Sequence, residues 1–139
     1  MLVILDTNIL VSTIRSSRGA SFQVVSRIGT GAFDLAVSVP LVLEYESALL
    51  RHVAETRLNA DDALAIVDYI CLVAKRQPIF LLWRPLLRDP NDDMIAEAAI
   101  AAGCDAVVTH NVADFDLLAQ FGVRILRPAA FLREIGAER

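Results

Sequence analysis

Carboxylates recur in this chain where apolar runs give way to helical patterns, and that placement suggests metal-ion chemistry. Asp6 directly follows the aliphatic run Leu2–Leu5, and Glu44 lies one turn into a helical segment that starts at Pro40. Asp89, Asp92 and Asp93 follow a third short apolar run at 79–83, and Asp114 and Asp116 lie just beyond a fourth at 106–109. If these runs are parallel strands, their carboxyl ends share the sheet edge where open α/β folds bind ligands. Unpaired carboxylates gathered there would raise one another's pKa, and some would take up a proton. A hard divalent cation removes that conflict, and Mg²⁺ or Mn²⁺ favours such oxygen ligands. One or two ions could orient a phosphodiester, lower the pKa of an attacking water and stabilise the leaving oxygen. That chemistry needs no imidazole, so His52 and His110 need carry no catalytic role.

Each acid has a plainer explanation when taken alone. Asp6 could form an Asx-turn at a strand end, with Thr7 and Asn8 as ordinary helix-start residues. Glu44 could be a solvated helix residue. Asp89-Pro90-Asn91-Asp92 reads as a turn and helix cap, and Asp114 as another cap before Phe115. Four junctions that each carry an acid are explained more economically by one site than by four coincidences.

The elements that must position these acids alternate in type. Runs at 2–5, 35–39, 79–83, 106–109 and 123–126 read as strands, short and without alternation, as buried parallel strands are. Between the first two, a helix in two parts is expected, with 21–28 the clearer part before Gly29 and Gly31. Pro40 suits the first position of the next helix. Asn59 caps a long one with Asp61 and Asp62 in its first turn; Leu64, Val67, Cys71 and Ala74 form its apolar stripe. Lys75 and Arg76 then fill its last turn before Pro78. Asp92 or Asn91 starts a helix bearing Ile95, Ala98, Ala99 and Ala102, which Gly103 ends. A short helix at 114–120 and a closing one at 128–135 complete the pattern. Strands separated by helices imply right-handed parallel crossovers, hence a three-layer α/β/α sandwich around a parallel sheet of about five strands.

Size and composition agree. A chain of 139 residues, 55% hydrophobic and only 6% aromatic, suits one domain over 1–139 with a sheet covered on both faces. No apolar stretch is long enough to span a bilayer and no basic leader precedes the first strand, so a cytoplasmic protein without membrane contact is expected. Cys71 and Cys104 are read as reduced thiols. The net charge of −4 argues against a uniformly basic nucleic-acid coat, yet twelve of the thirteen basic residues are Arg, the side chain shaped for phosphate. Arg15, Arg18, Arg84 and Arg88 fall near the acidic edge and are weak candidates for substrate contacts, since any one of them could simply be solvated.

At these residues the chain resembles the PIN-domain ribonuclease family, especially its bacterial VapC-like toxins. The matching pieces are Leu5-Asp6-Thr7-Asn8-Ile9-Leu10, Pro40 through Glu44-Tyr45-Glu46, Asp89-Pro90-Asn91-Asp92-Asp93-Met94-Ile95-Ala96, and Val107-Val108-Thr109-His110-Asn111 with Asp114-Phe115. The ending Arg124-Ile125-Leu126-Arg127-Pro128 with Phe131-Leu132 is similar too, so the likeness spans essentially the whole chain. It implies a PIN-like fold, Mg²⁺ or Mn²⁺ dependence, endonuclease action on RNA, a homodimer and an antitoxin that covers the acidic cleft. Carried over by motif, Asp6, Glu44 and Asp92 are the principal acids. Asp92 is chosen over Asp93 by its spacing to Ile95-Ala96, leaving Asp89 and Asp93 in support. Many relatives place the fourth acid where this chain has Asn111; here Thr109-His110-Asn111-Val112-Ala113-Asp114-Phe115 follows another version of the motif and moves it to Asp114. Asn8, Thr109 and Asn111 are polar supports.

Two other readings compete with a metal-dependent ribonuclease. A PIN-like module could bind RNA or protein without cutting, although it would not need the full set of acids. A phosphorylated receiver domain also gathers acids at strand ends, but the only lysine, Lys75, is misplaced for one.

Overall fold

Val3, Ile4 and Leu5 are fully buried, as expected of a strand with both faces covered. The computed structural model describes residues 1–78, 87 and 92–136. The opening strand, β1 (Leu2–Leu5), lies at the centre of a sheet with β2 (Asp34–Val37), β3 (Lys75–Arg76), β4 (Ala106–Val108) and β5 (Arg124–Leu126). The order is β3-β2-β1-β4-β5 and every pairing is parallel. Helices α1 (Thr7–Arg15), α2 (Ala20–Ser26), α3 (Val39–His52), α4 (Ala60–Val73), α5 (Asp93–Ala102) and α6 (Pro128–Glu134) flank it, giving the expected α/β/α sandwich.

The winding decides where a ligand can sit. From β1 the chain moves outward through β2 to β3, then returns to the opposite side of β1 for β4 and β5. Strand order therefore reverses between β1 and β4, and a crevice opens beyond their carboxyl ends. Asp6 stands directly after one of these strands and Thr109 directly after the other. Helix α5 packs on β1 and β2. Its buried Ala96, Ala98 and Ala99 permit a close approach, and Gly103, at φ 62°, ends it in the left-handed conformation.

Several expectations about the elements need correction. The long helix α4 ends at Val73, not at Arg76. Lys75 and Arg76 instead pair with Ala36 and Val37 as β3, and the Gln77 amide donates to the Val37 carbonyl at 2.7 Å. Pairing with an open edge of β2 satisfies backbone groups that one more helical turn would have satisfied, and two charged residues suit an edge strand. The strand expected at 79–83 lies outside the described residues. In α4, Ala63, Val67 and Ile70 form the buried face while Leu64 is exposed. Asn59 caps that helix as expected, in a capping box with Asp62. The short helix expected at 114–120 is present as a 3-10 helix, Val112–Phe121.

Helix α3, which carries Glu44, starts one residue earlier than Pro40 suggested. Ser38 is its cap, with its hydroxyl accepting from the Leu41 amide at 3.3 Å. Ser38→Ala should cost about 1 kcal/mol of stability, the usual value of an N-cap, read as a lower urea midpoint at unchanged slope. A midpoint equal to that of the parent would mean that the cap contributes nothing.

Candidate active site

Asp6 occupies the N-cap position of α1, yet its side chain closes no cap hydrogen bond. It turns instead across the crevice, where its Oδ2 accepts from the Thr109 hydroxyl at 2.7 Å. The Thr109 Oγ1 in turn accepts from the Asn111 amide at 2.9 Å, and the Asp6 amide donates to the Val108 carbonyl at 2.9 Å. The ends of β1 and β4 are thus tied by backbone and side chain together. On the far side, the buried Tyr45 hydroxyl donates to the Leu5 carbonyl, immediately before Asp6.

Burial is the main influence on the Asp6 carboxyl, which is only 3% exposed, and it pushes the pKa above the usual aspartate value. The Thr109 hydroxyl, the amides of Asn8 and Thr7 and the nearby His110 ring pull the other way without reversing the shift. Mutual repulsion among clustered acids was the expected cause. Burial takes its place.

Asp6, Glu44, Asp92 and Asp114 all line one cleft of about 350 Å³. Asn8, Asn111 and Arg15 line it too. Asp6 and Asn8 come from the start of α1, Glu44 from the first half of α3, Asp92 from the start of α5, Asn111 from the turn after β4, and Asp114 from the first turn of the 3-10 helix that follows. Asn111 and Asp114 therefore both face the site. Asp116 does not line the cleft.

Other candidates part from it. Asp93 is buried, and its Oδ1 accepts from the Leu87 amide at 2.8 Å; it fastens the chain ahead of α5 rather than facing the cleft. Thr109 does not line the cleft and meets it only through its hydrogen bond to Asp6. Arg18 lines the neighbouring groove. Asp89, Arg84 and Arg88 lie outside the described residues.

Arg51 and His52 also line the cleft and were missed as site residues. The signal was helical spacing: Glu44, Ala48, Arg51 and His52 recur at the intervals that share one helix face. Arg51 approaches Glu44 at 3.9 Å, and Arg15 meets His52 Nδ1 at 2.9 Å and Glu55 at 3.1 Å. The acids are thus bordered by cations. His110 is an exposed loop residue that joins segments, its Nε2 lying 2.8 Å from the Ser21 hydroxyl and 3.3 Å from that of Ser12. Cys104 is a buried thiol pushed up to about 12 by burial first and by Asp105 second, and so is chemically inert.

Whether this set suits Mg²⁺ or Mn²⁺ can be judged from the oxygens. Among the described residues, no three His, Cys, Asp or Glu side chains are gathered closely enough to hold an ion together. Mg²⁺ commonly binds through one or two carboxylates and keeps several of its waters, a demand that a wide cleft with four acids on its walls can meet. The buried Thr7 hydroxyl, which also lines the cleft, has no hydrogen-bond partner among the described residues, and such a group suits a retained water. The residues fit the ion.

The sequence profile described as PIN domain matches residues 2–113. The chain belongs to the PIN-domain family. Two solved structures share its fold: VapBC2 from Rickettsia felis bound to a DNA fragment from its promoter, and VapBC-1 from nontypeable Haemophilus influenzae. The first is 16% identical with a TM-score of 0.60, covering 91% of this chain and 98% of its own; the second is 17% identical at 0.59, covering 93% and 99%. Among curated proteins, no sequence matches the chain. No helix among the described residues is long and apolar enough to cross a membrane.

Proposed function

We infer that this chain is a metal-dependent endoribonuclease, a single nuclease domain acting as the toxin of a toxin–antitoxin pair. The observation that carries the reading is the convergence of Asp6, Glu44, Asp92 and Asp114, from four separate segments, on one cleft. Membership of the PIN-domain family supports it. Mg²⁺ or Mn²⁺, held by Asp6 and Asp92 with Glu44 and Asp114 contributing directly or through water, would supply an activated water and charge stabilisation at the phosphate. Asn8 and Asn111 would orient those waters, and Thr109 would fix the Asp6 carboxylate. Arg15 and Arg51 border the acids, where they can meet phosphate oxygens beside the scissile one.

The antitoxin and homodimer are inferences by kinship. The two similar structures are VapBC assemblies, and an antitoxin arginine entering the cleft would replace metal charge with fixed charge. A cytoplasmic setting follows from that biology.

The test is cleavage of a mixed RNA substrate with Mg²⁺ or Mn²⁺ by Asp92→Asn and Glu44→Gln. Each should lower the rate by roughly 10²-fold or more, as the loss of a charge-stabilising group does, while circular dichroism and melting show a folded protein. Parent-like rates in both variants would remove the site. RNA binding that is independent of metal, without cleavage on any substrate, would replace the nuclease with a non-catalytic binding module.

A further inference from the structure

We propose that the groove adjoining the acidic cleft binds the backbone of a single RNA strand and seats one of its bases on Phe22. This rests on the ribonuclease reading and adds to it the path by which substrate leaves the site. The groove encloses about 840 Å³ and lies where the end of α1, the loop into α2 and the segment after α3 come together. Arg15 lines both groove and cleft, so the two adjoin at this side chain.

Charge is the first argument. Arg15, Arg18 and Arg57 line the groove against one carboxylate, Glu55, in a chain whose net charge is −4. Glu55 is already paired with Arg15 at 3.1 Å. The guanidinium groups of Arg18 and Arg57 are exposed and have no hydrogen-bond or ion-pair partner among the described residues. Two uncompensated cations from distant parts of the sequence therefore meet beside a site whose own acids repel a polyanion. A phosphodiester chain crossing both would find its attraction in the groove.

The second argument selects a single strand. Phe22 lines the same groove and remains 38% exposed, a large apolar ring among guanidinium and hydroxyl groups. A ring beside phosphate-binding cations offers a stacking platform to a base, and only an unstacked base can take it. An acidic protein segment would meet the same cations, but adjacency to a cleft proposed to cut phosphodiesters favours RNA.

The experiment is fluorescence anisotropy of a labelled oligouridylate of about twelve nucleotides, in EDTA, across a series of salt concentrations. Arg18→Ala with Arg57→Ala should weaken binding about tenfold or more at low salt and reduce the log–log salt slope by about two, one for each lost phosphate contact. Phe22→Ala should weaken binding about tenfold, in line with loss of one stacked base. Arg76→Ala, on β3, serves as the control and should bind like the parent, and melting curves verify the folds. Unchanged affinity and slope in the double variant would overturn the proposal. So would equal losses on a blunt RNA duplex, or a groove that binds polyglutamate through these arginines while RNA affinity stays put. Metal-dependent cleavage measured on the same parent protein separates the two readings: a changed slope without any cleavage sinks the nuclease and keeps the groove, whereas cleavage with an unchanged slope sinks only the groove.

Discussion

Asp6→Asn should melt at a higher temperature than the parent and yet cut no RNA. Asn keeps the shape of Asp and an oxygen to accept from Thr109, but it removes a charge that burial disfavours. Burial holds the Asp6 carboxyl above its unfolded-state pKa, so between those two values the folded protein keeps a proton that the unfolded chain has released. The contribution of Asp6 to stability is therefore complete below the ordinary carboxylate range and is lost as pH rises through the raised folded value. At neutral pH without metal that loss is in force, and the amide avoids it. Each 1 kcal/mol so gained would raise Tm by about 3–5 °C in a domain of this size. The difference between parent and variant should shrink at acid pH, where the parent carboxyl is protonated.

Metal should reverse the ranking. A ligand that binds only the folded state at a hundred times its Kd stabilises it by about 2.7 kcal/mol; the parent should show such a rise with Mn²⁺ and Asp6→Asn should not. RNA cleavage should fall by about 10²–10³-fold or more. Scanning calorimetry with and without Mn²⁺, at neutral and acid pH, reads the first two outcomes, and a cleavage assay reads the third. An amide variant that melts below the parent without metal would refute the idea that the buried charge is held at a cost to the fold. One that still gains stability from Mn²⁺ would place the ion elsewhere.

The same residue shows how far the sequence could be read. A capping aspartate and a site aspartate are indistinguishable in Leu5-Asp6-Thr7-Asn8, because both sit at a strand end before a helix. What separates them is the hydroxyl of Thr109, more than a hundred positions away, which draws the carboxylate across the crevice. The parallel order of the strands was legible because alternation of buried runs and helical stripes leaves few connections open. With it came the shared edge that brings Glu44, Asp92 and Asp114 to Asp6. Lys75 and Arg76 misled because cations close a helix as well as they protect an edge strand, and only the unpaired side of β2 decides between the two. Asp93 misled for a related reason: it neighbours Asp92, but one step around a helix carries its side chain to the buried Leu87 amide. Arg51 and His52 were readable by extending the periodicity of Glu44 by two turns. Their pairings with Glu44 and Arg15 were not.

Thr109→Val should test whether Asp6 is positioned by its neighbour or merely near it. Thr109 is fully buried, donates to Asp6 Oδ2 at 2.7 Å and accepts from the Asn111 amide at 2.9 Å. Valine fills nearly the same volume but ends both bonds at once, leaving a carboxylate oxygen without its donor and an amide without its acceptor. Loss of buried partners of this kind costs about 1–3 kcal/mol. The hydroxyl also favours the ionised form of Asp6, so without it the carboxyl pKa climbs further and a cation must displace a more firmly held proton. Removing a group that orients a metal ligand typically weakens metal affinity by about 10–100-fold. Mn²⁺ titrations should therefore show a weaker response in Thr109→Val than its stability loss alone would predict, and Thr109→Ser, which restores the hydroxyl, should recover most of the affinity while remaining short of a methyl group. If valine lowers Tm but leaves the Mn²⁺ midpoint where it was, Thr109 is a packing residue and the carboxylate finds its orientation elsewhere. A Mn²⁺ midpoint that moves with valine and returns with serine assigns Thr109 the positioning role, because packing at this site depends on volume and metal affinity would then depend on one oxygen.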